Sequence, residues 1–125
     1  MNNGITDQFN PIKAINTLRD NAVAIEMLGE KIHAKRIQLI KDLALLMDAE
    51  EQARRDLFEK EIKASFARDF IKLQTAKQQK SHDIVKEELR MLEDQRDIIV
   101  EINNCLKASF KIHELEAKNL NLSQA

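Results

Sequence analysis

Residues 18–53 read LRDNAVAIEMLGEKIHAKRIQLIKDLALLMDAEEQA, and this stretch decides the fold. A seven-residue repeat places apolar side chains along one face of an α-helix, as in coiled coils. After Gly29 the sequence contains no glycine and no proline, so its composition gives no cause for an early helix end. We therefore predict long α-helices. The repeat consists of Leu18, Ile25, Ile32, Leu39, Leu46 and Ala53.

Two further rows of side chains accompany this repeat. The row four residues on is interrupted by charged residues; it contains Ile15, Ala22, Gly29, Arg36, Leu43, Glu50 and Leu57. A second apolar stripe contains Val23, Met27, Ala34, Ile37, Ile40, Ala44 and Met47. A two-stranded coiled coil needs only one narrow apolar seam, so a surface this wide must contact more than one neighbour. The pattern predicts a bundle, an oligomer or a docking face.

The sequence predicts where the first helix begins but does not decide where it ends. Asn10 can accept free backbone N–H groups, and Pro11 at the first helical position sacrifices no hydrogen bond. Residues 48–51, Asp-Ala-Glu-Glu, fit a capping pattern with Asp in the place of Ser or Thr. The helix either breaks near Asp48 or runs on, and the sequence leaves both alternatives open.

The segment 78–83, Gln-Gln-Lys-Ser-His-Asp, interrupts the apolar periodicity. Ser81 could cap a new helix, with Asp83 in its first turn, so we predict a turn at Lys80–Ser81. A seven-residue row follows: Val85, Leu92, Ile99, Leu106, His113 and Leu120. Beside it lie Ile84, Met91, Ile98, Cys105 and Ile112, while Leu89 and Phe110 belong to the same face and Arg96 and Asn103 interrupt it.

Charge alternates in blocks along the chain. Residues 31–41 carry four bases and no acid, residues 42–59 six acids and two bases, residues 60–80 six bases and two acids, and residues 83–101 seven acids and three bases. A hairpin folded at Lys80–Ser81 would place the basic 60–80 block along the acidic 83–101 block. Exposed ion pairs contribute only ~0.2–1 kcal/mol each, so they would select register more than they stabilise.

These patterns predict an all-α protein, either an elongated antiparallel helical hairpin or a three-helix bundle with coiled-coil character. We expect a flexible N-terminus over residues 1–9, a single helical domain over 10–120 and a frayed C-terminus over 121–125.

The sequence contains little that could support catalysis. Glu30 and His33 have the Glu-x-x-His spacing of di-iron bundles, but neither His82 nor His113 supplies a second copy of the motif. Cys105 is the single cysteine and has no base near it in the sequence. Two glycines cannot build a phosphate-binding loop. We predict no enzyme activity, no catalytic residue, no metal, no cofactor and no small-molecule substrate.

Composition also bears on partners and compartment. The net charge of −1 gives no overall field toward nucleic acid, and the basic 31–41 block is followed at once by an acidic one, so nucleic-acid binding is not expected. No apolar run reaches the ~18 residues that span a bilayer, and the first residues do not resemble a secretory signal. A single thiol fits a reducing compartment. We expect a cytoplasmic protein without membrane contact.

The leading functional hypothesis is a helical protein–protein interaction module: an adaptor, an assembly factor or a chaperone-like binder. Its partner would be another protein, a second copy of the chain in a homo-oligomer, or both. The alternatives are a self-assembling coiled-coil protein, a small phage- or plasmid-type inhibitor that occludes a larger complex, and a nucleic-acid-binding bundle. The residues predicted to bind a partner are Val23, Met27, Ile37, Ile40, Met47, Met91 and Ile98. Methionine adapts well to irregular partner surfaces.

Overall fold

A computed structural model describes residues 9–124 of the chain. Two long α-helices pack against each other: α1 spans Pro11–Glu59 and α2 spans Ala67–Gln124, with a short 3₁₀ helix at Ala64–Phe66 between them. No strand occurs in this part of the chain. The all-α helical hairpin is confirmed, whereas the third helix of a bundle is not. Residues 1–8 of the predicted N-terminal segment, and Ala125 of the predicted frayed end, lie outside the described residues.

The start of α1 is the one predicted from Asn10 and Pro11. The Asn10 side-chain Oδ1 accepts hydrogen bonds from the backbone N–H groups of Ile12 (3.1 Å) and Lys13 (3.2 Å). These two donors have no partner within the helix, and the asparagine supplies one for each. The prediction for this end of the helix is confirmed.

Neither internal break suggested by the sequence occurs. α1 continues through Asp48, and α2 continues through residues 78–83, so the predicted turn at Lys80–Ser81 is wrong. The polar residues there interrupt the apolar pattern without interrupting the helix. Gln78 and His82 belong to the helix face that packs on α1, and the Ser81 hydroxyl donates to the Asp42 carboxylate on α1 at 3.1 Å. Polar groups on both helices therefore meet at this level.

The chain reverses between Glu59 and Ala64, in a turn that contains neither glycine nor proline. Glu61 has a φ of 50°, in the left-handed region. The Ile62 N–H donates to the Leu57 carbonyl (3.2 Å) and the Glu61 N–H to the Phe58 carbonyl (3.3 Å). This is the hydrogen-bond pattern of a Schellman motif, in which glycine usually occupies the left-handed position. The motif ends α1 after Glu59 and directs the chain back toward α2.

Residues 30–93 form one compact unit that contains the turn. The seam between the helices there follows a seven-residue pattern in which Ile32, at 1% exposure, is the most deeply buried large side chain. Lys35 bonds to Glu88 (3.2 Å) and Arg36 to Glu93 (3.0 Å), which fixes the antiparallel register across the seam. The buried members of this unit are Ile32, Leu46, Ala53, Thr75, Val85 and Leu89.

Blocks of opposite charge face each other in this unit, but around a different turn from the one predicted, and the ion pairs between the helices join the 31–41 block to the 83–101 block. The acidic 42–59 block lies along the basic residues that follow the 3₁₀ helix, and the basic 31–41 block lies along the beginning of the acidic 83–101 block. A sequence of alternating signs can fold back between any two blocks and still pair opposite charges. The charges alone therefore could not choose between the two turns.

Residues 9–29 and 94–124 belong to the second compact unit. Ala14 and Leu28 are buried there, and so is Asn103, whose side-chain oxygen accepts a hydrogen bond from the Asn21 amide at 2.8 Å. This bond gives a partner to the amide N–H group of Asn21 and to the side-chain oxygen of Asn103. A polar pair in a helical seam fixes the register of the two helices at some cost in stability. The Phe9 ring packs edge-on against Phe110, with ring centroids 5.3 Å apart.

The second row of the α1 seam differs from the predicted one. The row that contacts α2 lies three residues after the apolar repeat and contains Ala14, Asn21, Leu28, Lys35, Asp42, Ala49 and Asp56. In the predicted row, Ile15 and Leu43 are exposed instead. The true row is more polar than the predicted one, and three of its polar residues, Asn21, Lys35 and Asp42, have partners on α2. On α2 the predicted seven-residue row is buried or half-buried from Val85 to Leu106, whereas His113 and Leu120 at its end are exposed. The predicted row beside it is exposed; it contains Ile84, Met91, Ile98, Cys105 and Ile112.

Candidate docking surfaces

All seven residues predicted to bind a partner are exposed and lie outside the seam. Their exposed fractions range from 42% for Ile37 to 68% for Ile40. Val23, Met27 and Ile98 belong to the unit of residues 9–29 and 94–124, whereas the remaining four belong to the unit of residues 30–93. The structure therefore brings together Ile37, Ile40 and Met47 on one helix face. It places Met91 on the other helix of that unit.

The face that carries Ile37, Ile40 and Met47 is here called the outer stripe. It consists of Ala34, Ile37, Ile40, Ala44 and Met47, and all five residues are exposed. At about 100° of rotation per residue, these side chains fall within an arc of about 140°. The buried residues Ile32 and Leu46 lie on the opposite side of α1. The outer stripe therefore faces away from α2.

Two further apolar side chains border the outer stripe. Leu43 lies on one side of it and Leu45 on the other, with exposed fractions of 44% and 59%. A partner that covers such side chains would be bound more tightly by about 25 cal/mol for each Å² of apolar surface removed from water. A contiguous exposed patch of this kind is a common mark of a protein–protein contact site.

Polar residues lie at both ends of the outer stripe. Glu30 and His33 share its face toward the start of α1, and Glu51 and Arg55 share it toward the end. Arg55 Nη2 donates to Glu51 Oε1 at 2.7 Å, one helical turn apart. Lys41 and Asp48 also lie on this face, beside its apolar residues. The stripe is thus an apolar strip with two polar residues at each end, Glu30 and His33 at one and Glu51 and Arg55 at the other.

The basic character of residues 31–41 is reduced by the fold. Lys35 and Arg36 hydrogen-bond to Glu88 and Glu93 across the seam, so two of the four cations in this block have carboxylate partners. A basic helix that follows a nucleic-acid backbone needs its cations directed outward to phosphates. This arrangement weakens the argument for a phosphate-binding surface on α1.

On α2 the apolar row outside the seam is also exposed. In the unit of residues 30–93 it contains Ile84 and Met91. Near Met91, Arg90 hydrogen-bonds to Glu87, and this bond lowers the pKa of the Glu87 carboxyl below its ordinary value of 4.5. In the unit of residues 9–29 and 94–124, the row borders a shallow apolar groove lined by Ile98, Glu101, Ile102, Cys105, Leu106 and Ser109.

The residues that sequence analysis considered for chemistry do not assemble into a site. Within residues 9–124, no three His, Cys, Asp or Glu side chains come close enough to hold a metal ion. Cys105 is exposed at the edge of the α2 groove. Over the same residues, neither helix contains a stretch long and apolar enough to cross a bilayer.

The structure also identifies residues that the sequence analysis missed. Asn21, Lys35 and Asp42 belong to none of the predicted seam rows, yet each makes a bond across the seam. The available signal was their spacing, since all three lie at multiples of seven residues from Leu28. Comparison of the chain with protein-family models, curated proteins and solved structures found no match.

Proposed function

We propose that this chain is a non-enzymatic helical interaction module that docks an apolar helix face on a protein partner. The observation that carries the proposal is the distribution of apolar side chains. Among the described residues, twenty large hydrophobic side chains are exposed, while seven hydrophobic residues form the buried core. Single exposed apolar residues are ordinary on a protein surface, but aligned rows of them on one helix face are not.

The outer stripe is the surface best suited to this role. Its residues lie on a single regular helix, so they are held in place without a partner. Spacings of three and four residues are those by which a helix inserts side chains into a groove or against another helix. Met47 adds a flexible side chain that adapts to an irregular surface. The intrachain pairing of Lys35 and Arg36 supports placing a protein ahead of nucleic acid as the partner.

In vivo crosslinking with two matched variants tests the proposal. Ile40→Lys places a charge within the outer stripe, and Leu73→Lys places one at a still more exposed position on α2. Because both positions are solvent-exposed, both variants should melt like the wild type. We expect crosslinks from residues 34–47 to a protein partner, either a different protein or a second copy of the chain, in the wild type and in L73K, and their loss in I40K. Equal crosslinking in all three proteins, or none in the wild type, contradicts the proposal.

A further inference from the structure

We infer that the outer stripe of α1 docks against the same stripe of a second copy of this chain, with the two helices antiparallel about a two-fold axis. The inference rests on the function proposed above and names the partner of that surface. Its grounds are the order of small, large and charged residues along α1 between Glu30 and Arg55.

The apolar residues of the outer stripe are complementary to themselves when one copy is turned end over end. With the axis beside residues 42–43, Ile40 of one copy lies opposite Ala44 of the other, and Ile37 lies opposite Met47. Ala44 leaves room for the Ile40 side chain, and the flexible Met47 can fill the space beside Ile37. Because the axis repeats each contact, four large–small or large–flexible pairs form a continuous strip.

The charges at the ends of the stripe pair in this same register. Glu30 lies opposite Arg55 of the second copy, and His33 lies opposite Glu51. Each end of the contact therefore joins an acid and a histidine from one copy to the existing Glu51–Arg55 pair of the other. A parallel arrangement would set Glu30 against Glu30 and Arg55 against Arg55. Charge complementarity of this kind selects orientation.

The centre of the contact also accommodates its charged residues. Lys41 and Asp48 lie on one side of the stripe, and the two-fold axis brings Lys41 of one copy to the same side as Asp48 of the other. The long lysine side chain can lay its methylene groups on the apolar strip and reach the carboxylate about one turn away. No charge on this face is then left opposite a like charge.

The contact has a definite length and a limited area. Residues 30–55 extend for about 39 Å of helix at about 1.5 Å per residue. A contact made by one helix from each copy belongs to the small interface class, in which the two copies together bury about 1,000 Å² of surface. We therefore expect a reversible dimer with a dissociation constant in the micromolar range rather than an obligate one.

Sedimentation velocity on the full chain, over protein concentrations from about 1 to about 300 μM, tests the inference. The wild type should shift from monomer to dimer. Ile40→Lys should weaken the dimer about a hundredfold, because the axis places two lysines in apolar surroundings. Leu73→Lys, which lies off the stripe, should leave the dissociation constant unchanged. Circular dichroism spectra and melting curves of each variant show that the fold is retained.

A charge exchange tests the register separately. Glu30→Arg and Arg55→Glu should each weaken the dimer several-fold, since each places like charges at both ends of the contact. The double variant E30R/R55E restores opposite charges and should recover most of the wild-type affinity. Recovery in the double variant is a result that a merely structural effect of either substitution would not produce.

Three outcomes overturn the inference. A wild-type chain that stays monomeric throughout removes the second copy as partner; the docking function is then judged by its crosslinking test alone. A dimer that I40K leaves intact uses another surface. A dimer weakened by both single charge variants and not restored by the double variant has a different register.

Discussion

Glycine at residue 61 is expected to stabilise the protein, although glycine in a helical protein usually does the opposite. Glu61 holds a φ of 50° at the left-handed position of the turn that ends α1. A non-glycine residue in this conformation costs about 1–2 kcal/mol, because its Cβ crowds the backbone. Glycine avoids this strain but loses about 0.5–1 kcal/mol through its greater freedom in the unfolded chain. Glu61→Gly should therefore increase the free energy of unfolding by about 0–1.5 kcal/mol, with the centre of that range at about 0.75 kcal/mol.

Urea unfolding followed by circular dichroism at 222 nm measures this difference directly. The midpoint should rise without a change in slope, since the substitution leaves the buried surface the same. The matched control is Glu59→Gly, two residues earlier in the last turn of α1. There the backbone is helical, and glycine should cost about 0.5–1 kcal/mol. A second control, Glu61→Ala, keeps a Cβ at the strained position and should gain nothing.

The opposite signs of the two glycine variants make the prediction decisive. If E61G destabilises the protein as much as E59G does, residue 61 is not left-handed, and the Schellman turn is wrong. If both variants are neutral, the end of α1 contributes nothing measurable to stability. Only a gain at residue 61 together with a loss at residue 59 supports the turn described here.

Three further predictions concern other parts of the helices. Asn10→Ala should lower the free energy of unfolding by about 0.5–2 kcal/mol in urea titrations, whereas Asn16→Ala, within α1, should not. Ser81→Pro should cost about 3 kcal/mol or more, because it breaks the continuous α2, while Lys63→Pro, where φ is already −60°, should cost little. Tolerance of S81P and loss of stability in K63P would favour the turn predicted from sequence. Glu87→Gln should destabilise the protein slightly at pH 7 and less at pH 3. The wild-type carboxyl has a lowered pKa, so the stabilisation from its arginine partner is present above pH 4.5 and lost as the pH falls. Melting temperatures that differ equally at both pH values would contradict this.

The helical class, the start of α1 and the α2 row that begins at Val85 could be predicted from the sequence. Each rests on a local signal: the absence of glycine and proline after Gly29, the Asn10–Pro11 cap, and the spacing of Val85, Leu92 and Ile99. The exposed faces could be predicted as well, because they carry more apolar residues than one seam accommodates.

The position of the turn could not be predicted in the same way. Glu61 occupies a position where glycine is the usual signal, and the hydrogen bonds that compensate for it are visible only in three dimensions. The segment 78–83 resembled a loop because the α1 residue that bonds to it, Asp42, lies 39 positions away from Ser81 in the sequence. The partner of the outer stripe could not be predicted either, since a row of apolar residues does not identify the surface that covers it.

The hairpin arrangement also has a consequence for how the chain reaches its native state. The bonds across the seam join residues that are 39, 53 and 82 positions apart, from Ser81–Asp42 through Lys35–Glu88 to Asn21–Asn103. Once the turn has formed, each successive pair needs only a short additional loop to close, so the entropic penalty is met in small steps. Folding can then proceed by successive pairing of the two helices, from Glu61 toward the chain ends. The amide pair of Asn21 and Asn103 closes late on such a route, and we expect the backbone protons near it to exchange with solvent sooner than those near Ile32.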